Sequence, residues 1–210
     1  MLEIILTALD APLADAWEKE CGALEGVIVH RGSIFDCGAD ALVSPANSFG
    51  FMDGGIDMLY SRRFGWGVQD ALQARIRERH HGELIVGAAE LVQTGGVPPY
   101  LIAAPTMRVP MILGAETVAP FLAARAALLV WRHGALGDGT PHRDVIQQIA
   151  FPGLGTGVGQ VPPATCARQV RAAIEEVILE RGGFPTSWHD AQSRHQRLYA
   201  DAVRDLQYPT

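Results

Sequence analysis

Six short apolar runs alternate with helix-like stretches along this chain, and that alternation limits the folds open to it more than any other feature. The runs fall at residues 4–9, 27–30, 41–44, 84–92, 100–104 and 146–151. After the first comes an amphipathic stretch around Leu13, Trp17 and Glu20. Residues 56–79 read as helix, cut in two by Gly65-Trp66-Gly67; in the second piece Val68, Leu72 and Ile76 recur at helical spacing while Arg75, Arg77 and Glu78 face away. Residues 118–131 form a helix rich in alanine and leucine. Residues 163–180 form another, with Val170, Ile174, Val177 and Ile178 on one face, and the polar residues 134–144 read as loop. Strands alternating with helices imply βαβ units, hence a largely parallel sheet covered on both faces.

The chain has 210 residues, 48% of them hydrophobic, enough for one well-buried core. No linker rich in Ser, Gly or Pro divides it. Residues 1–184 are expected to form one α/β domain. Residues 185–210 are a tail in which Leu198, Tyr199, Val203 and Leu206 line one side of a closing helix packed on the body. The formal net charge of -6 argues against a broad nucleic-acid or anionic-membrane footprint, so an anionic ligand must be held by local backbone N–H groups. Cys21, Cys37 and Cys166 form no CxxC pair and no disulfide framework, which fits a reducing compartment. The first residues carry Glu3, Asp10 and Asp15 and no basic leader, and no apolar run reaches the roughly 18–20 residues of a membrane span. A soluble, cytoplasmic protein without a membrane partner is expected.

In α/β sheets, ligands sit outside the carboxyl ends of strands, where loops meet helix starts. Two segments are built for that place. One runs from Ser44 through Pro45, Asn47, Asp53, Gly54 and Gly55 to Asp57; the other, from Phe151 through Gly153, Gly155, Thr156 and Gly157 to Gly159. Glycines let the main chain approach a ligand closely, and successive amides beside a helix N-terminus form an anion-binding concavity. Two such loops suggest a ligand with two phosphates, or a phosphate flanked by sugars. A branched side chain at Gly155 is expected to occupy the phosphate space. A dinucleotide-dependent dehydrogenase fails on spacing, because Val158 stands where the third glycine of GxGxxG belongs and the loop comes late in the chain. A kinase-like phosphate loop fails because no Gly-Lys-Ser/Thr follows either cluster.

At these residues the sequence resembles the macrodomain family, which binds ADP-ribose and its derivatives. Gly32-Ser33-Ile34 resembles the family's GDI, and residues 41–47 resemble AIVNAAN. Residues 53–57 resemble GGGVD, residues 86–89 followed by Thr94 resemble the TGxA…T region, and residues 153–157 resemble the GxGTG phosphate loop. The resemblance implies a three-layer α/β/α fold with a mixed, mostly parallel sheet. It implies that Ser33 and Ile34 lie at the ligand, and that Gly54, Gly55 and Ile56 face one phosphate and the inner ribose. Gly153, Gly155, Thr156, Gly157 and Val158 would wrap the diphosphate, and Asn47 would hydrogen-bond the distal ribose. Asp57 matches the acid that orients water or substrate near the anomeric carbon in the hydrolytic branch. Asn47 and Asp57 are therefore the catalytic candidates, with no cofactor and no metal. The implied partner is ADP-ribose or an ADP-ribosylated macromolecule. The implied reactions are hydrolysis of an ADP-ribosyl bond and deacetylation of O-acetyl-ADP-ribose. The alternatives are a reader without catalysis and a macrodomain-like scaffold that serves only in assembly. Ser33 stands where the family has the Asp that reads the adenine amino group, Ser44 where it has the first Asn of NAAN, and Asp53 where it has a glycine. Phe49, Phe51, Trp188 and Tyr208 are candidates for an aromatic beside the adenine.

Other residues offer less. His80 and His81 are adjacent and no HExxH occurs, so no metal site is expected. Cys166 lies near a helix start, where a thiol pKa can fall, although buried packing is the plainer reading. The arginines at 62–63 and 75–79 read as a solvated face, and no His–Asp context supports Ser44 or Ser48 as a hydrolase nucleophile.

Overall fold

The computed structural model describes residues 2–205. Its elements are β1 (Glu3–Ala8), α1 (Ala11–Cys21), β2 (Val27–Arg31), β3 (Ala41–Ser44), α2 (Gly55–Phe64), α3 (Gly67–Arg79), β4 (Glu90–Gln93), β5 (Tyr100–Ala103), α4 (Ala119–His133), α5 (His142–Val145), β6 (Gln148–Phe151), α6 (Pro163–Val177) and α7 (Trp188–Gln196). The strands form one sheet in the order β2-β1-β6-β3-β5-β4. Every neighbour pair is parallel except β4–β5, which is antiparallel at one edge.

Because successive side chains of a strand point to opposite faces, each strand feeds two cores. Ile4, Leu6 and Ala8 of β1 join Ile149 and Phe151 of β6 under α1, α4 and α6. Ile5 joins Leu42, Leu101 and Ala150 on the other face, under Tyr60 of α2 and Val68, Leu72 and Ile76 of α3. The result is three layers, helices over sheet over helices. Small residues on the buried face of α4, Ala123, Ala124 and Ala127, let it lie close against α6. On α6 the buried Val170, Ala173, Ile174 and Val177 follow helical spacing. Trimming Ile174 to alanine there costs about 2–5 kcal/mol.

Local signals explain the element starts. Asp10 caps α1, its Oδ1 accepting from Leu13 N at 2.9 Å, with Pro12 in the first turn. Gly65, at φ +84, separates α2 from α3 where the sequence pattern breaks.

Three local expectations are corrected. The apolar run at 84–92 gives a strand only at Glu90–Gln93; before it Gly87 sits at φ +99, Ala88 N donates to Ile85 O, and Ile85 is 62% exposed, so the chain turns instead of pairing. The polar stretch 134–144 contains the start of the short helix α5. In the tail, the helix precedes the residues expected to line it. Ser187 caps α7 by accepting from Asp190 N, and Leu198 is buried just beyond the helix end, where its carbonyl accepts from Gln169 Nε2 on α6. Leu206 and Tyr208 lie outside the described residues.

The arginines of α3 are more engaged than a plain solvated face. Arg79 Nη1 lies 3.4 Å and Arg75 Nη1 3.8 Å from Glu90 Oε1, and His80 Nε2 lies 3.1 Å from Oε2, tying α3 to the edge strand β4. Among the described residues no helix is long and apolar enough to cross a membrane.

Candidate functional site at the carboxyl edge of the sheet

Parallel pairing sets the carboxyl ends of β1, β2, β3 and β6 along one edge, and a cleft of about 360 Å³ opens there. That size is ordinary for a small-molecule site. Both glycine loops reach it. Ser33, Ile34, Asn47, Gly54, Gly55, Ile56, Asp57, Gly153, Gly155, Thr156, Gly157 and Val158 all line it.

The first loop is braced from within. Asn47 Nδ2 donates to Phe51 O at 2.8 Å, while its Oδ1 accepts from Phe49 N at 3.1 Å and Phe51 N at 3.3 Å. The Asn47 side chain therefore holds the bend of its own loop. Met52 N donates to Gln69 Oε1 on α3, and Ser61 Oγ of α2 donates to Met52 O, both at 2.8 Å. The loop then enters α2 through Gly54, an N-cap that has no side-chain acceptor. The first helical bond is Met58 N to Gly54 O, so the amides of residues 54–57 have no acceptor among the described residues.

The second loop repeats the arrangement. Leu154 N donates to Cys166 Sγ at 3.3 Å, and Val161 N donates to Gly155 O at 3.0 Å. The amides of residues 155–158 between them have no acceptor among the described residues. The two glycines of this loop do different work. Gly155 has φ +68, and a Cβ there would lie 3.1 Å from both Leu113 Cδ1 and Val161 Cγ2. The expectation that a side chain at Gly155 would enter the ligand space is thus corrected: it would enter the protein. Gly157 is the open position, with nothing within 4 Å of its would-be Cβ.

A strap from Met107 to Leu113, leading from β5 toward α4, joins the two loops. Met107 bridges Asn47, Ser48 N donates to Arg108 O at 3.1 Å, and Leu113 N donates to Gly159 O at 2.9 Å. Pro110 of the strap lines the cleft. Arg108 turns outward, pairing with Glu83 at 2.7 Å and stacking over Phe49, 5.1 Å from the ring centroid. Of the aromatic candidates, Phe51 lines the cleft, Phe49 serves this clamp, and Trp188 borders a separate groove by the tail.

The electrostatics are unusual for an anion site. The residues lining the cleft include three carboxylates, Asp10, Asp53 and Asp57, and no Lys, Arg or His. Asp57 is 6% exposed, and its Oδ1 accepts from Ser44 Oγ at 2.6 Å. Burial pushes its carboxyl up to about 6, and the Ser44 hydroxyl opposes part of that rise. Cys166, whose helix-start position allowed a lowered pKa, is instead pushed up to about 12 by burial, which keeps it a thiol behind the second loop. Among the described residues no group of three or more His, Cys, Asp or Glu side chains is placed to hold a metal ion.

Sequence reasoning passed over three contributors: Asp10, the strap, and Ser44 as partner of Asp57. Asp10 carried a usable signal, since it stands between a strand end and a helix start just as the glycine loops do. The strap carried none, because its role comes from contacts distant in sequence.

Comparison with known proteins follows the same outline. A family model described as Macro domain matches residues 43–170. An uncharacterised protein of Aquifex aeolicus is 35% identical over 150 residues, covering 71% of this chain and 79% of the relative. Among solved structures, the macrodomain of Mycobacterium tuberculosis DarG matches with a TM-score of 0.55 at 21% identity, over 69% of this chain and 87% of that one. A mutant Oceanobacillus iheyensis macrodomain, solved with ADPR, matches with a TM-score of 0.56 at 20% identity, over 69% of this chain and 74% of that one.

Proposed function

Because this chain belongs to the Macro domain family, we propose that its cleft binds ADP-ribose, free or carried on a macromolecule, through main-chain amides of the two glycine loops. One observation carries the reading: two runs of four amides, 54–57 and 155–158, lack protein acceptors and stand at one cleft. Gly54, Gly55, Gly157 and Val158 are exposed, so their amides are open to an anion, and a diphosphate can take several of them at once. The amino end of α2 adds a favourable dipole. The structural neighbour solved with ADPR points to the same ligand. In this arrangement Gly54, Gly55 and Ile56 meet one phosphate and the inner ribose, and Gly153, Gly155, Thr156, Gly157 and Val158 enclose the diphosphate from the far side. Ser33 and Ile34 flank the base, and Asn47 keeps the first loop in shape at the distal ribose.

Calorimetry with ADP-ribose tests this. A dissociation constant in the micromolar range, about -8 kcal/mol, is expected. No heat at millimolar ligand rejects the reading in favour of a scaffold that serves only in assembly.

Asp57 favours a second step, hydrolysis of the bond between the distal ribose and its carrier. A carboxylate whose pKa lies near 6 accepts a proton from water at neutral pH and can return it. Water attacks the anomeric carbon as Asp57 takes its proton, the bond to the carrier breaks, and the departing group takes that proton from Asp57, which is left ionised as it began. Incubation with ADP-ribosylated protein or nucleic acid reads out release of ADP-ribose. Turnover that survives Asp57→Ala unchanged removes Asp57 from this role.

A further inference from the structure

The cleft has a wall that neither glycine loop supplies. Where β1 ends, Leu9 and Asp10 form part of its rim, and Gly32 and Ser33 follow β2 beside them, Gly32 N donating to Ala8 O at 2.9 Å. Leu9 is 83% exposed at this rim. Buried Ile34 and half-buried Phe35 line the same end. These apolar groups suit a flat heterocycle. The polar atoms beside them differ in what they have free. Ser33 Oγ accepts from Phe35 N at 3.2 Å and so braces its own turn. Asp10 commits Oδ1 to Leu13 N, and among the described residues its Oδ2 has no partner.

We infer that Asp10 selects the base of the bound nucleotide by accepting a hydrogen bond from the 6-amino group of adenine. This rests on the reading of the cleft as an ADP-ribose site and adds a specificity-determining residue to it. The apolar side chains receive the face of any purine and do not choose among them; choice lies at the ring edge. A carboxylate only accepts. Adenine offers it a donor, whereas hypoxanthine and guanine place an oxygen at the same position, and two facing acceptors repel. A serine hydroxyl both donates and accepts, so Ser33 discriminates poorly between the two edges.

The capping geometry makes a clean test possible. Asn and Ser both serve as helix N-caps, so Asp10→Asn and Asp10→Ser retain the start of α1. With the Asn oxygen held by Leu13 N, the atom replacing Oδ2 is an amide nitrogen, which donates. Calorimetry on the full chain compares ADP-ribose with its hypoxanthine analogue, and a melting curve of each variant confirms folding. The wild-type protein is expected to favour ADP-ribose by about tenfold or more. Asp10→Ser is expected to lose most of that preference, and Asp10→Asn to abolish or invert it. Equal affinity of the wild type for both ligands, or full preference retained by the folded variants, overturns the inference alone. Binding of neither ligand by the wild type overturns the nucleotide reading of the cleft, and this inference with it.

Discussion

Ser44 Oγ donates to Asp57 Oδ1 across 2.6 Å, joining the last residue of β3 to the first turn of α2 beneath the first glycine loop. Both residues are buried, Ser44 fully. The contact fixes one carboxylate oxygen against the strand end, and Asp57 forms part of the cleft wall. No cation is among the causes that set its ionisation: burial dominates, and the serine hydroxyl is the only opposing contribution.

This arrangement predicts that Asp57 weakens the fold at neutral pH. Burial raises its carboxyl from 3.8 to about 6, so between those values the native protein binds more protons than the unfolded chain, and stability falls as pH rises through the window. Above pH 6 the loss is complete, on the order of 2–3 kcal/mol. Asp57→Asn cannot ionise and keeps an oxygen for Ser44. The variant is expected to melt several degrees above the wild type at pH 8, with the gap closing toward pH 4. A gap of constant size across that range contradicts the burial account.

Removing the hydroxyl should move the same group the other way from relief. In Ser44→Ala the contribution that lowers the Asp57 carboxyl is gone while burial stays, so its titration shifts to higher pH. Carbon-13 NMR of the Asp57 carboxyl follows this directly. If the Ala variant titrates at or below the wild-type midpoint, Ser44 does not hold the ionised form.

The two glycines on either side of Thr156 separate stability from binding. Gly155→Ala forces a side chain into the left-handed region and against Leu113 and Val161, and is expected to cost about 1–2 kcal/mol in denaturant unfolding. Gly157→Val meets open space, so its melting temperature is expected to stay close to wild type while the heat of ADP-ribose binding disappears. Strong binding by the Gly157 variant argues that the ligand does not use this wall.

Salt dependence reports how the anion is held. A cleft lined by Asp10, Asp53 and Asp57, in a chain of net charge -6, offers no cationic side chain whose attraction salt could screen. ADP-ribose affinity is expected to hold or rise slightly between 50 and 500 mM NaCl, and Asp53→Ala to tighten binding by about threefold. A tenfold loss of affinity in high salt points to a cationic contact outside the cleft wall.

Much of the architecture was legible because it is written in local periodicity. Residues 41–44 read as a strand and are one, and Gly65-Trp66-Gly67 marked the break between α2 and α3. The candidate cleft was legible to the extent that glycines declare themselves: the ligand-contact candidates named in the two loops, Asn47, residues 54–56, Gly153 and residues 155–158, line one cleft. What sequence could not supply was direction. Nothing in Gly155-Thr156-Gly157 says which glycine faces Leu113 and which faces solvent, since Leu113 is distant in sequence. Asn47 has the amide expected of a ligand contact, yet its partners are Phe49 and Phe51 of the same bend, a choice made by three-dimensional closure. The run 84–92 is apolar like a buried strand, but Gly87 at positive φ and the turn from Ile85 to Ala88 leave only Glu90–Gln93 paired as a strand.

The strap of residues 107–113 gives the molecule a fixed gauge. Its two anchor points, near Asn47 and at Gly159, tie the facing walls to each other across a short crossbar, so their spacing is inherited from the β5–α4 connection. A visitor too short to touch both walls gains only half of the available grip. Lengthening or shortening that crossbar by a residue is therefore the simplest way in which a chain of this design would come to measure out a different molecule.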